Sequence, residues 1–130
     1  RYVDVYFGVV KETNEVVTIE EYTDGKFVKY VNNDGTTCNG NNKDQQMKAE
    51  SLVHYSFIKS NKKTLVVDIQ GANFNLTDPE IATLSGHFDE EKHFLFCAGN
   101  FSLEAYTKFF QNHKCSAFCS LLGLEDESIE

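Results

Sequence analysis

Apolar and polar residues alternate from Tyr2 to Val10 and again from Val16 to Tyr22, in stretches rich in Val, Ile, Tyr and Thr. With the polar Lys11-Glu12-Thr13-Asn14 between them, these predict two paired strands. Asp24-Gly25 predicts a tight turn into a third short strand, Phe27-Val28-Lys29-Tyr30. Residues 32–43 are almost wholly Asn, Asp, Gly and Thr, which predicts a loop, and a loop on a rigid scaffold is a common place for functional contacts. From Asp44 to Lys59, helix formers surround Met47, Leu52 and Tyr55 at helix-compatible spacing. Thr64 to Ile69 is a nearly unbroken apolar run, which predicts a central strand covered on both faces. Gly71 to Asn75 reads as a turn, and Asp78-Pro79 as an N-cap followed by proline at the first helical position. A short strand is predicted over His93 to Cys97. Ser102 to Asn112 reads as a helix with Leu103, Tyr106, Phe109 and Phe110 as its apolar stripe. A last short helix, Cys115 to Leu122, is stopped by Gly123. Strands come early and helices late, an α+β arrangement.

Composition narrows the function classes. The chain has 130 residues, one domain or part of one, and can bury a core without staples. Its formal net charge of −8 argues against a nucleic-acid or anionic-membrane surface. Part of that charge sits in Glu125-Asp126-Glu127-Ser128-Ile129-Glu130, which reads as a solvated tail. No apolar run approaches the roughly 20 residues needed to span a bilayer, and Arg1 to Val10 lacks the apolar core of a signal peptide. The first residue is not Met, so the chain is expected to begin inside a larger protein. Four cysteines without a secretory signal point to a reducing, cytoplasmic setting rather than a disulfide framework.

Two segments carry chemistry. His113-Lys114-Cys115-Ser116-Ala117-Phe118-Cys119 packs three soft ligands into seven residues. Zinc held by Cys and His is four-coordinate, usually through a close set plus a partner from elsewhere in the chain. Cys115 and Cys119 are expected to share a helix face, and His54 on the preceding helix is the best candidate for the fourth ligand. His87 and His93 read as surface residues. The alternative is that both cysteines are small core residues. Upstream, Asp68-Ile69-Gln70-Gly71 is followed by Leu76-Thr77-Asp78-Pro79, two carboxylates ten residues apart on either side of a glycine turn. Phosphoryl transfer needs a group to orient the attacking hydroxyl, oxygen ligands for magnesium and positive charge for the phosphates. A carboxylate ending a buried strand, as Asp68 does, is costly unless it is paired or does chemistry. Gln70 projects from the same side of that strand, and carboxylate and amide oxygens suit Mg²⁺. Each residue alone is ordinary, because Asp is a common turn former and Asp-Pro a common helix start.

Taken with Lys29-Tyr30-Val31-Asn32-Asn33, these segments resemble the alpha-kinase family, the atypical protein kinases that include myosin heavy chain kinases, elongation factor 2 kinase and the channel-kinases. The resemblance runs from about Val16 to Leu124. It implies an atypical kinase-like domain over residues 1–124: a partial antiparallel N-lobe sheet in 1–35, a zinc-stapled C-lobe in 44–124, and nucleotide between them. It also implies transfer of the ATP γ-phosphate to a Ser or Thr of a protein substrate, without nucleic acid or direct membrane contact. By that likeness Asp68 would be the catalytic aspartate, with Gln70 and Asp78 holding Mg²⁺. Lys29 and Asn33 would lie near Asp68 and the phosphates, and Glu20-Glu21 would offer backbone contacts to adenine. The zinc ligands would be His54, His113, Cys115 and Cys119, a structural set because four protein ligands leave no open position. Asn100 would fall in the family's glycine-rich loop. There the chain departs from the pattern, reading Phe101-Ser102-Leu103 where a further Gly is usual. The family's earlier N-lobe strands, with the lysine that anchors ATP phosphates, have no counterpart here. That departure motivates an alternative, a catalytically inactive, kinase-like, zinc-stabilised binding module. A half-built upper lobe would also leave strand edges open to association.

Overall fold

A computed structural model describes residues 1–84 and 96–124. β1 (Val5–Val9) and β2 (Val16–Glu20) form an antiparallel hairpin, with Val9 opposite Val16 and Val5 opposite Glu20. The hairpin's apolar side chains face outward to an unusual degree, Phe7 being 83% exposed. β3 (Val28–Val31) does not extend this hairpin. It pairs antiparallel with β5 (Ile69–Ala72), which in turn pairs with β6 (Asn75–Leu76). β4 (Thr64–Val67) and β7 (Glu80–Thr83) form a separate antiparallel pair. α1 (Lys43–Lys59) follows the Asn-rich loop and is capped by Asn42, whose side chain accepts the Gln45 amide. α2 (Ser102–Asn112) and α3 (Ala117–Leu121) complete the chain, the latter capped by Ser116.

The core lies where α1 and α2 meet the inner faces of β3, β4 and β5. α1 contributes Ala49, Val53 and Phe57, spaced four residues apart on one face. Opposite them are Val31, Leu65, Val67 and Ile69, and α2 adds Ala105, Phe109 and Phe110. Each large side chain buried here stabilises the fold by about 1.5–3 kcal/mol relative to leaving it in water. Met47, Leu52 and Tyr55, the apolar residues that mark this helix in the sequence, are only half-buried, with Leu52 packed against the edge of the core. On α2, Leu103 points outward and Ala105 takes its place.

Three further expectations are corrected. The apolar run 64–69 is split at Asp68, whose φ of 56° turns the chain so that β4 and β5 enter different sheets. Among the described residues β7 is the one sheet neighbour of β4, and α1 packs across it. No helix starts at Asp78-Pro79. Asp78 has a φ of 48°, and Glu80–Thr83 pairs residue by residue with β4, from Val67↔Glu80 to Thr64↔Thr83. Pro79, which has no N–H to give, sits just ahead of that ladder, a position proline tolerates. The turn between β5 and β6 contracts to Asn73-Phe74, both at positive φ, the backbone of a two-residue hairpin loop. The strand expected at His93–Cys97 and the placement of His87, His93 and the acidic tail lie outside the described residues, apart from Phe96 and Cys97, which are not in a strand.

Candidate active site and metal centre

Asp68 sits at the break between β4 and β5 and is 7% exposed. Its left-handed backbone costs roughly 1–2 kcal/mol for most L-residues, though Asp and Asn tolerate it better than others. Such strained positions cluster at functional sites. Its Oδ1 is 2.5 Å from Lys29 Nζ, and its Oδ2 accepts the Gln70 Nε2 proton at 2.9 Å. Lys29 and Gln70 stand directly opposite one another in the β3–β5 register, so both reach Asp68 from one face of the sheet. Gln70 Nε2 also points to the Asp78 carbonyl at 3.5 Å. With its amide protons turned to those two groups, its Oε1 is left as an acceptor.

Gln70, Thr77 and Asp78 line one side of a cavity of about 540 Å³, and Thr18, Glu20 and Phe27 line the other. The Glu20 carboxylate accepts the Thr77 hydroxyl at 2.5 Å, tying the hairpin to the segment that carries Asp78. Glu21 faces elsewhere and pairs with Arg1 at 2.7 Å. Asn33 lies in the turn closed by the Gly35 amide on the Asn32 carbonyl, and that same carbonyl receives the Asp68 amide at 3.4 Å. The turn is clamped onto α2. A β-carbon at Gly35 would collide with the Ala105 carbonyl, and Lys108 Nζ holds Asp34 at 2.8 Å. Asn100 is buried, accepting the Thr83 and Ser102 amides and donating to the Thr83 hydroxyl, so it knits β7 to the start of α2.

Partial burial pushes the Asp34 carboxyl up, but hydrogen bonds from Lys108 and Thr36 outweigh it and bring it down to about 2. A folded-state value below the usual 3.8 means a stabilisation present above the unfolded pKa and lost as pH falls toward 2. Asp34→Asn should therefore reduce proton uptake on acid unfolding between pH 4 and 2 by somewhat less than about one proton per chain. Potentiometric titration of both proteins measures this, and identical curves would refute it.

Two residues near the carboxylates were not singled out by the sequence. The Tyr2 hydroxyl is buried with no hydrogen-bond partner among the described residues, and burial together with the Asp68 charge pushes it up to about 12. It is thus a neutral phenol at physiological pH. Phe27 supplies the cavity with an aromatic wall. Neither carried a local signal beyond that of a strand residue.

A second centre lies among the helices. His54 Nδ1 and His113 Nε2 are 3.3 Å apart, Cys115 Sγ is 3.6 Å from His54 Nδ1, and Cys119 Sγ is 3.6 Å from His113 Nε2. All four donor atoms lie within 4.8 Å of one another. Tetrahedral zinc with ordinary bond lengths places two nitrogens about 3.3 Å apart and a nitrogen and sulfur about 3.6 Å apart. The donor set therefore fits that ion in number, kind and spacing. The ligand atoms come from α1, the C-cap of α2, the connecting segment and α3. Cys115 precedes the cap of α3 and does not share its helix face; the extended link brings it in instead. Phe109 stacks on His113 with centroids 4.8 Å apart, and Phe110 meets His54 edge-on. Burial opposes a charge on His113, yet Glu50 and Cys119 outweigh it and raise its pKa. Burial also raises the Cys119 thiol, but Ser51, Ser116 and His113 together lower it.

Residues 1–119 match the sequence profile of the alpha-kinase family. The chain belongs to the alpha-kinase family. The match takes in the first strand as well as the stretch from Val16 onward. Myosin heavy chain kinase B of Dictyostelium discoideum is 35% identical over 106 residues, 82% of this chain and 13% of that protein. Eukaryotic elongation factor 2 kinase of Mus musculus is 33% identical over 106 residues, again 82% of this chain and 13% of that protein. Among solved structures, the alpha-kinase domain of myosin heavy chain kinase A in complex with ADP superposes with a TM-score of 0.79 at 28% identity, covering 95% of this chain and 48% of that one. The fold is therefore that of an alpha-kinase domain, and the chain spans about half of the solved one. Among the described residues, no helix is long and apolar enough to cross a membrane.

Proposed function

We propose that this alpha-kinase chain acts as a protein serine/threonine kinase domain, transferring the γ-phosphate of ATP to a protein hydroxyl. The carrying observation is Asp68, a buried carboxylate held by Lys29 and by Gln70, whose own side chain lines a nucleotide-sized cavity. Fixed from both sides, Asp68 can orient the substrate hydroxyl and accept its proton, the task phosphoryl transfer sets the protein. Gln70 Oε1 and the Asp78 carboxylate are oxygen donors of the kind magnesium takes and would hold the ion, whose charge would offset that of the phosphates. Lys29 and Asn33 would stand near those phosphates. Phe27 offers a flat apolar face for the base, with the backbone at Glu20 and Glu21 as its polar edge. Asn100 would act by holding the loop around Gly99 in place. His54, His113, Cys115 and Cys119 would hold a structural zinc, and its reduced thiolates suit a cytoplasmic setting.

A second reading has its own support. Among the described residues lining the cavity, Glu20 and Asp78 are the charged ones and none is Lys or Arg, which is a poor setting for a triphosphate. The chain would then be a kinase-like, zinc-stabilised binding module. The deciding experiment follows labelled γ-phosphate from Mg·ATP to a basic protein substrate. Magnesium-dependent transfer that disappears in Asp78→Asn supports the kinase. A folded, zinc-loaded chain that transfers nothing supports the module.

A further inference from the structure

We propose that Glu50 is a positioning residue of the metal centre, fixing His113 in the tautomer whose Nε2 faces the ion. This inference rests on the reading of His54, His113, Cys115 and Cys119 as a zinc site. Glu50 Oε2 lies 3.1 Å from His113 Nδ1, whereas Nε2 of the same ring faces His54 and Cys119. An ionised carboxylate can only accept a hydrogen bond, so the proton must sit on Nδ1, which leaves the Nε2 lone pair for a metal. A histidine ligand whose other nitrogen donates to a carboxylate is a better-oriented and more basic donor.

Glu50 is itself held. Its Oε1 accepts the Gln46 side-chain amide at 2.9 Å, and Gln46 also donates to the Tyr30 carbonyl at 3.0 Å. The Phe109 ring stacked on His113 keeps the imidazole from turning away. The ordinary role of a helix glutamate is to be solvated, but this side chain is 16% exposed with both oxygens engaged. α1 thus supplies both a ligand, His54, and, one turn earlier, the group that orients a ligand from α2. Ser51 is a weaker candidate for this role. It lies 3.2 Å from Cys119 Sγ, but its single proton is directed to the Met47 carbonyl at 2.8 Å.

The test loads the full chain with zinc and measures affinity by competition with the colorimetric chelator 4-(2-pyridylazo)resorcinol, alongside the visible spectrum of the cobalt-substituted protein. Glu50→Ala should loosen zinc by about 10–100-fold and shift the cobalt ligand-field bands. Glu50→Gln, which keeps an acceptor oxygen for Nδ1, should fall between it and the wild type. Glu50→Ala or Glu50→Gln matching the wild type would each leave a helix-stabilising role only, and Glu50→Gln serves as the test if Glu50→Ala does not fold. A wild-type chain that takes up no zinc would overturn the metal reading itself and this inference with it. Zinc bound equally by wild type and variant overturns the inference alone.

Discussion

Asp68→Asn is expected to lower phosphoryl transfer by about 10²–10⁴-fold, the usual contribution of a positioned acid–base group, while leaving the fold intact. Asn is the appropriate replacement because the backbone there has a φ of 56°, a conformation that Asn tolerates and Ala resists. An Asn oxygen can still receive the Gln70 amide, so the β5 side of the site keeps its hydrogen bond. What disappears is the charge facing Lys29 and the capacity to take a proton from a hydroxyl. Lys29 is partly exposed, so its ammonium remains solvated and the cost to stability is small. If Asp68 acts on the attacking group as proposed, the loss appears in kcat, with KM for ATP changed little. Steady-state kinetics with a melting curve for each protein separate the cases. A variant that keeps more than about a third of the wild-type rate would reduce Asp68 to an ion-pair partner of Lys29, well short of a positioned acid–base group.

The elements around this site were unevenly legible in the sequence. Both long helices were visible because their composition and ends carry local signals, and the first hairpin because two alternating stretches flank a polar turn. The break at Asp68 was hidden inside an apolar run, since nothing in Val-Val-Asp-Ile specifies a left-handed residue. Asp78-Pro79 gave a true local signal for a helix start, and long-range pairing of β7 with β4 overrode it. The core face of α1 was obscured because Glu50, Ser51 and His54 face the His/Cys cluster instead of water. Strand alternation associated Gln70 with Asp68, but Lys29 could be joined to them only through the family likeness. Their contact depends on β3 crossing to β5, a pairing between segments about forty residues apart. Glu50 escaped notice for a simpler reason: one glutamate among helix formers looks like a solvated face.

Removing the metal is expected to have the largest effect on stability, lowering the thermal midpoint by at least about 10 °C, given the folding energy structural zinc supplies and the sensitivity of a chain this size. The reason is geometric. α3 has five residues, too few to persist alone. Of its residues Cys119 alone is buried, while Leu121 is 82% exposed. Apolar packing therefore holds this helix weakly, and the cluster is what joins it to α1 and to the end of α2. Without an ion, two imidazole nitrogens and two sulfurs would face one another at 3.3–3.6 Å, where their mutual hydrogen bonds are weak. Cys115→Ser is the cleanest variant, because that side chain is outside the core and its replacement leaves almost no cavity. His54→Ala would remove a ligand too, but it would also open a hole against Phe110. Melting curves for wild type and Cys115→Ser, each with and without a zinc chelator, make the comparison. The chelator should destabilise the wild type strongly and the variant little, since the variant begins with a weakened site. Four coincident curves would mean that the cluster is a packed group of soft side chains and that apolar contacts alone hold the helices together.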